Sequence, residues 1–296
     1  MKAPFVYFGG KARVAGKVWS ALCNPRHYIE PFFGSGAVLL NRPQPHESCE
    51  TVNDKDGFVA NVWRAIQLDP DGVSKWADWP VNHADLIARK KTLIANEARL
   101  LDGLCADPQW FDAELAGYWI WAASCYIGSG LTRPGQIPHL TDAGQGVHGK
   151  IPQLTNVREW MQQLAARLRR VRVVCGDWSR VCGGNWQDKF GDCGIFFDPP
   201  YSDPSRDNDI YHAESMTVAH DVQEWALERG KLPSYRIVLA GYFDEHKSLL
   251  EHGWRHEMWK SGGGYGNTGK GETAGKKNKH KECLFYSPFC IENQKE

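Results

Sequence analysis

The sequence predicts a doubly wound α/β protein with a mostly helical segment inserted into it. Three observations predict this. Residues up to about 66 alternate short apolar runs with helical stretches in β-turn-α-β-α order. The same alternation resumes after residue 171, and the stretch between follows a different rhythm. A βαβ succession of this kind builds a largely parallel sheet covered by helices on both faces.

Residues 11–22 have the pattern of a helix, and Tyr28 and Ile29 lie in a short strand. That strand runs into Glu30-Pro31-Phe32-Phe33, and Gly34-Ser35-Gly36 turns the chain into a helix over 37–41. Thr51 and Val52 form a second strand closed by Asn53-Asp54, and residues 57–67 are helical. Residues 83–105 carry Leu86, Ile87, Leu93, Ile94, Leu100, Leu101 and Leu104 at helical spacing with charges between them. A helix over 115–127 follows, then an irregular Gly-, Pro-, His- and Thr-rich segment over 128–156, long enough to suggest a functional loop. Residues 157–170 form a basic amphipathic helix and 171–175 a strand. The buried-strand run 194–197 ends at Asp198-Pro199-Pro200-Tyr201. Helices over 218–229 and 243–252 and strands over 236–240, 254–259 and 284–286 complete the chain. The expected division is a split α/β domain, 1–66 and 167–296, with 67–166 inserted.

Composition narrows the class. The 296 residues carry 35 basic and 35 acidic side chains, with 42% hydrophobic and 24% charged residues, which excludes a disordered tail, a collagen-like fibre and a small disulfide scaffold. Zero net charge argues against a chromatin-type protein but not against an enzyme whose basic residues are confined to one face. The nine cysteines include no CxxC pair, which predicts reduced thiols rather than a disulfide framework or zinc ribbon. Residues 115–132 lack charge, but Gly128, Ser129 and Gly130 interrupt them, so a buried helix is expected rather than a membrane span. The first residues hold no apolar signal region, and a cytoplasmic protein of a bacterium or phage-infected host is the expectation.

Three motifs carry chemistry. Phe32-Phe33-Gly34-Ser35-Gly36 places glycines between strand and helix, where the backbone can approach a ligand; it is also compatible with a plain tight turn. Asp54, at the end of the next strand, is placed to hold a ribose diol, or else to cap the following helix. Asp198-Pro199-Pro200-Tyr201 is the most specific. Two prolines remove two donors and fix two φ angles at the carboxyl end of a strand, aiming a carboxylate, carbonyls and a ring into the crevice where open α/β sheets bind ligands.

These residues resemble the Dam-type (alpha-order) DNA adenine-N6 methyltransferases. The resemblance extends to Phe8-Gly9-Gly10-Lys11, Asn53-Asp54-Lys55-Asp56 and Cys175-Gly176-Asp177-Trp178, and covers roughly 5–66 and 171–289. Val6 and Tyr7 stand where better-known members carry Lys-Trp. The resemblance implies a Rossmann-like class I methyltransferase sheet with a helical target-recognition insert, and S-adenosylmethionine as cofactor. It implies that Asp54 takes the ribose hydroxyls, Asp177 and Trp178 the adenine, and the Phe32–Gly36 turn the methionine portion. Tyr7 and Gly10 are further cofactor candidates. Lys11 is a candidate partner for the methionine carboxylate, the competing reading being an exposed lysine that opens a helix.

The implied reaction needs no covalent intermediate. Adenine N6 is a poor nucleophile because its lone pair is delocalised into the ring. Asp198 and the Pro199 carbonyl are placed to accept the two N6 hydrogens, Pro200 stiffens the turn, and Tyr201 stacks on the flipped base. DNA, as duplex, is the expected partner. Lys270, Lys276, Lys277 and Lys279 in the Gly-rich stretch 262–281, with Arg167, Arg169, Arg170 and Arg172, are expected at phosphates. Arg133, His139, His148 and Lys150 are the candidates for base reading. His139, His148 and His212 lack ligand spacing, so no metal is expected. Cys182 and Cys193 read as packing residues. A cytosine-N4 enzyme, a protein-glutamine methyltransferase and a catalytically silent DNA-binding relative are the alternatives; a nicotinamide oxidoreductase is disfavoured by the glycine spacing.

Overall fold

The computed structural model describes the chain except residues 6, 8, 45–48, 128–130, 136–137, 141–145, 150–154, 185–188, 190, 202–216, 260–281 and 293–296. Its elements, numbered in chain order, are α1 (Ala15–Leu22), β1 (His27–Glu30), α2 (Ala37–Leu40), β2 (Cys49–Asp54), α3 (Gly57–Leu68), α4 (Pro70–Ala77), α5 (His83–Ala106), α6 (Ala113–Cys125), β3 (Tyr126–Ile127) and β4 (His139–Leu140). They continue with α7 (Val157–Leu168), β5 (Val171–Cys175), α8 (Ser179–Cys182), β6 (Cys193–Phe197), α9 (Val218–Arg229), β7 (Tyr235–Tyr242), α10 (Phe243–His246), β8 (Arg255–Met258) and β9 (Glu282–Tyr286). A seven-stranded sheet has the order β5-β2-β1-β6-β7-β9-β8. This is the mixed α/β, mostly parallel sheet expected of a Rossmann-like fold.

The described residues fall into two compact units. The first comprises Met1–Gly10, Gly34–Gly36 and Asn53–Asp177. Its helices begin where the sequence supplies side-chain acceptors for unpaired N–H groups: Asp56 caps α3, Asp69 caps α4 with Pro70 behind it, Asn82 caps α5, and Asp112 caps α6. Asn156 and Glu159 close a reciprocal capping box on α7. Trp63, Trp121 and Trp160 are among its fully buried side chains. α6 is apolar on nearly every side and correspondingly buried; no described helix is long and apolar enough to cross a membrane.

The second unit comprises Lys11–Phe33, Ala37–Val52 and Trp178–Glu296. β6 lies between β1 and β7 and is parallel to both, with Ile195 facing Ile29 on one side and Ile237 on the other. A strand flanked in this way is covered on both faces, which is why all five of its residues are buried and its sequence is one apolar run. β9 runs antiparallel to β7 and to β8, so β8 closes the sheet with an antiparallel edge.

Several boundaries depart from the expectation. The first helix begins at Ala15, because residues 11–14 form a separate turn in which the Val14 N–H donates to the Lys11 carbonyl. The helix expected over 115–127 ends at Cys125, and Tyr126 and Ile127 pair instead with β4. The helix expected over 243–252 tightens after His246 into a 3₁₀ stretch, Lys247–His252. α4 and α8 were not expected: both are short, which gives periodicity little to act on. Cys182 and Cys193 are buried, as packing residues should be.

Candidate active site

In the first unit, the glycine turn is tied to the end of β2. Gly34 and Gly36 have φ of 45° and 64°, the left-handed region that glycine reaches without strain. A Cβ on Gly34 would come within 2.8 Å of the Tyr7 ring. The Gly34 N–H donates to Asp54 Oδ2 at 2.7 Å, and its carbonyl accepts from Trp63 Nε1 at 2.8 Å. Asp54 Oδ1 accepts from the Asp56 N–H at 2.9 Å. The helix-cap reading of Asp54 is therefore wrong: the cap of α3 is Asp56, which accepts from Phe58 and Val59. Asp54 itself stays half-buried at the strand end. Burial, and then the charge of Asp56, push its carboxyl up to about 7 against the N–H groups of Gly34, Asp56 and Lys55.

The end of β5 is joined to the same place. The Gly176 N–H donates to the Asp54 carbonyl at 3.1 Å, and Asn53 Nδ2 donates to the Gly176 carbonyl at 2.9 Å. Asp177 follows, exposed. Gly10 lies near the turn as well: a Cβ there would sit 3.4 Å from the Tyr7 carbonyl and 3.9 Å from Ser35 Oγ. The first unit thus brings together Tyr7, Gly10, Gly34, Ser35, Gly36, Asp54 and Asp177. Two carboxylate oxygens that each already accept an N–H still offer lone pairs to a hydroxyl pair. The residues fit the ribose end of S-adenosylmethionine.

In the second unit, Asp198, Pro199, Pro200 and Tyr201 leave the carboxyl end of β6, with Pro199 buried and the others half-buried. Asp198 Oδ1 is 2.8 Å from Lys11 Nζ. Lys11 is 4% exposed, so the reading of an exposed, solvated lysine is overturned, as is its place in a helix. Burial demands a partner for an ammonium, and Asp198 is that partner. Nearby, Glu30 accepts from Tyr28 Oη at 2.8 Å. Burial pushes the Glu30 carboxyl well above the carboxylate range, and the charge of Asp198 adds to this against bonds from Tyr28 and the Leu39 N–H. The Phe32 ring lies 6.5 Å from that of Phe197, and Phe33 is buried.

Trp178 belongs to this unit too. Its ring meets Phe197 and Trp225 edge-on, at 6.1 and 6.4 Å. It lines an open groove of about 650 Å³ with Trp225, Asp221, Glu224, Glu228, Arg229 and Leu232. An aromatic wall beside acceptor groups suits an aminated purine.

The base-reading candidates are spread through the first unit. Arg133 is half-buried, His139 is exposed on β4, and His148 Nε2 is 2.8 Å from Asp78 Oδ1. Arg169, Arg170 and Arg172 are exposed and Arg167 half-buried. Lys150, Lys270, Lys276, Lys277 and Lys279 lie outside the described residues, as does His212. No group of three or more His, Cys, Asp or Glu side chains suited to a metal occurs among the described residues. Sequence reasoning missed Glu30, whose place directly before Pro31 was the available signal, and Trp259, whose ring centroid lies 5.8 Å from Lys11 Nζ and which no sequence signal marked.

Comparison with known proteins points to one family for the first third of the chain. Residues 7–99 match the model of the D12 class N6 adenine-specific DNA methyltransferases, while no curated protein matches the chain. The match takes in the glycine turn, Asp54 and the α3 cap. The comparison identifies the protein as similar to the D12 class N6 adenine-specific DNA methyltransferases, enzymes that methylate adenine N6 in DNA with S-adenosylmethionine as methyl donor.

Proposed function

We propose that Asp198, Pro199 and Tyr201 form the acceptor site for an adenine flipped out of duplex DNA. The observation that carries this reading is the position of Asp198: a half-buried carboxylate on a proline-stiffened turn at the carboxyl end of a fully buried central strand. Asp198 and the Pro199 carbonyl accept the two amine hydrogens, which returns the nitrogen lone pair toward the incoming methyl group. Pro200 holds the turn, and Tyr201, whose ring lies 4.6 Å from that of Tyr242, stacks on the base. The cofactor supplies a methyl group made electrophilic by its sulfonium.

Asp54 takes the ribose hydroxyls, Asp177 and Trp178 the adenine, and Phe32, Phe33, Gly34, Ser35 and Gly36 the methionine portion, with Tyr7 and Gly10 behind the turn. Residues 67–166 act as the target-recognition region, with Arg133, His139, His148 and Lys150 reading bases and Lys270, Lys276, Lys277 and Lys279 meeting phosphates. His148 must release Asp78 to do so. The reaction runs in the cytoplasm without a metal. Incubation with labelled S-adenosylmethionine and unmethylated DNA, followed by nucleoside separation, should give N6-methyladenine; label confined to methylcytosine or to protein rejects the proposal.

A further inference from the structure

Lys11 Nζ occupies a defined point in the second unit. It is 2.8 Å from Asp198 Oδ1 and lies over two aromatic rings, 5.5 Å from the centroid of Tyr201 and 5.8 Å from that of Trp259. One carboxylate acceptor and two ring faces around a single point are what an aminated planar heterocycle needs. An ammonium meets the same partners through a charge-assisted hydrogen bond and cation–π attraction. Trp259 Nε1–H is also buried with no acceptor among the described residues, a donor that a purine ring nitrogen would satisfy.

Charge decides which occupant belongs there during methyl transfer. The amine nitrogen becomes positive as it gains the methyl group, and it needs the negative charge of Asp198. An ammonium bound to the same carboxylate neutralises that charge and repels the new one. Lysine has a flexible four-carbon stem, so it can withdraw.

We propose that the point held by Lys11 Nζ between Asp198, Tyr201 and Trp259 is the seat of the target adenine's amino group, with Trp259 as a second ring contact and Lys11 as an intramolecular placeholder that leaves when the base enters. This rests on the adenine-N6 reading above and assigns Lys11 to the base pocket rather than to the cofactor carboxylate. A placeholder lowers the apparent affinity for the base by the fraction of molecules whose pocket is open.

The test uses the full chain and a short duplex carrying the methylation site found by sequencing DNA from an expressing host. The target adenine is set opposite an abasic position, and a second duplex replaces it with purine, which lacks the amine. Lys11→Met should bind the adenine duplex about tenfold more tightly than the unaltered protein and the purine duplex no more tightly. Trp259→Ala should weaken both by about tenfold or more, with Trp259→Phe restoring most of the loss. Lys11→Gln replaces Lys11→Met if the latter does not fold. Equal or weaker adenine binding by the Lys11 variant, or unchanged binding by Trp259→Ala, overturns the inference. If the unaltered protein makes N6-methyladenine, such a result refutes the placeholder alone; if it makes none, the adenine reading itself fails.

Discussion

Cofactor binding should depend on pH through Asp54. Its carboxyl titrates at about 7 because burial and the neighbouring Asp56 disfavour the charge. Ribose hydroxyls donate to the ionised form, so binding selects it and releases a proton whenever the group starts protonated. With a pKa of about 7, roughly a tenth of the molecules are ionised at about pH 6 and roughly nine-tenths at about pH 8, so affinity should rise about tenfold across that interval. The sign is the opposite for stability: a raised carboxyl favours the fold while protonated, and this contribution is lost as pH climbs from the unfolded value toward 7. Calorimetry with S-adenosylmethionine in two buffers of different ionisation enthalpy counts the proton directly. Release of no proton at about pH 6 and a Kd constant within about twofold up to pH 8 would refute the assignment of Asp54 to the ribose.

Three further outcomes are expected. Asp198→Ala should abolish methyl transfer while calorimetric cofactor binding survives; joint loss of binding and folding would make that residue structural. Gly34→Ala should cost about 1–3 kcal/mol in denaturant unfolding, because it forces a side chain into the left-handed region against the Tyr7 ring. Arg42→Met should cost about 3–5 kcal/mol in the same assay. It leaves Glu50 buried without the guanidinium 2.8 Å away, and strips Asn24 and the Pro25 carbonyl of their donor.

What could be read from the sequence was local. β6 announced itself because a strand paired on both sides has no polar face, and its Pro-Pro exit cannot lie inside a ladder. The glycine turn was legible for the same reason, since left-handed φ values select glycine. The cap of α3 was also local, but the sequence reading considered a cap only at Asp54, whereas Asp56 immediately precedes α3, where a cap belongs. The union of Lys11 with Asp198, and the placement of Trp259 beside Lys11, depends on chain segments far apart in sequence. No spacing rule expresses such a meeting, and burial of a lysine is visible only once its partner is in place.

Arg64 gives the first unit a mechanical property. Its buried guanidinium donates to the carbonyls of Leu104, Asp107 and Trp110, at the finish of α5 and just beyond, and to Val173 in β5. Three residues after Val173 come Gly176 and then Asp177. A single cation therefore bolts the far end of the longest helix to the strand that presents Asp177, so α5 cannot slide along its axis without pulling that strand. An axial displacement of α5 would therefore be felt at the end of β5, two residues before Asp177.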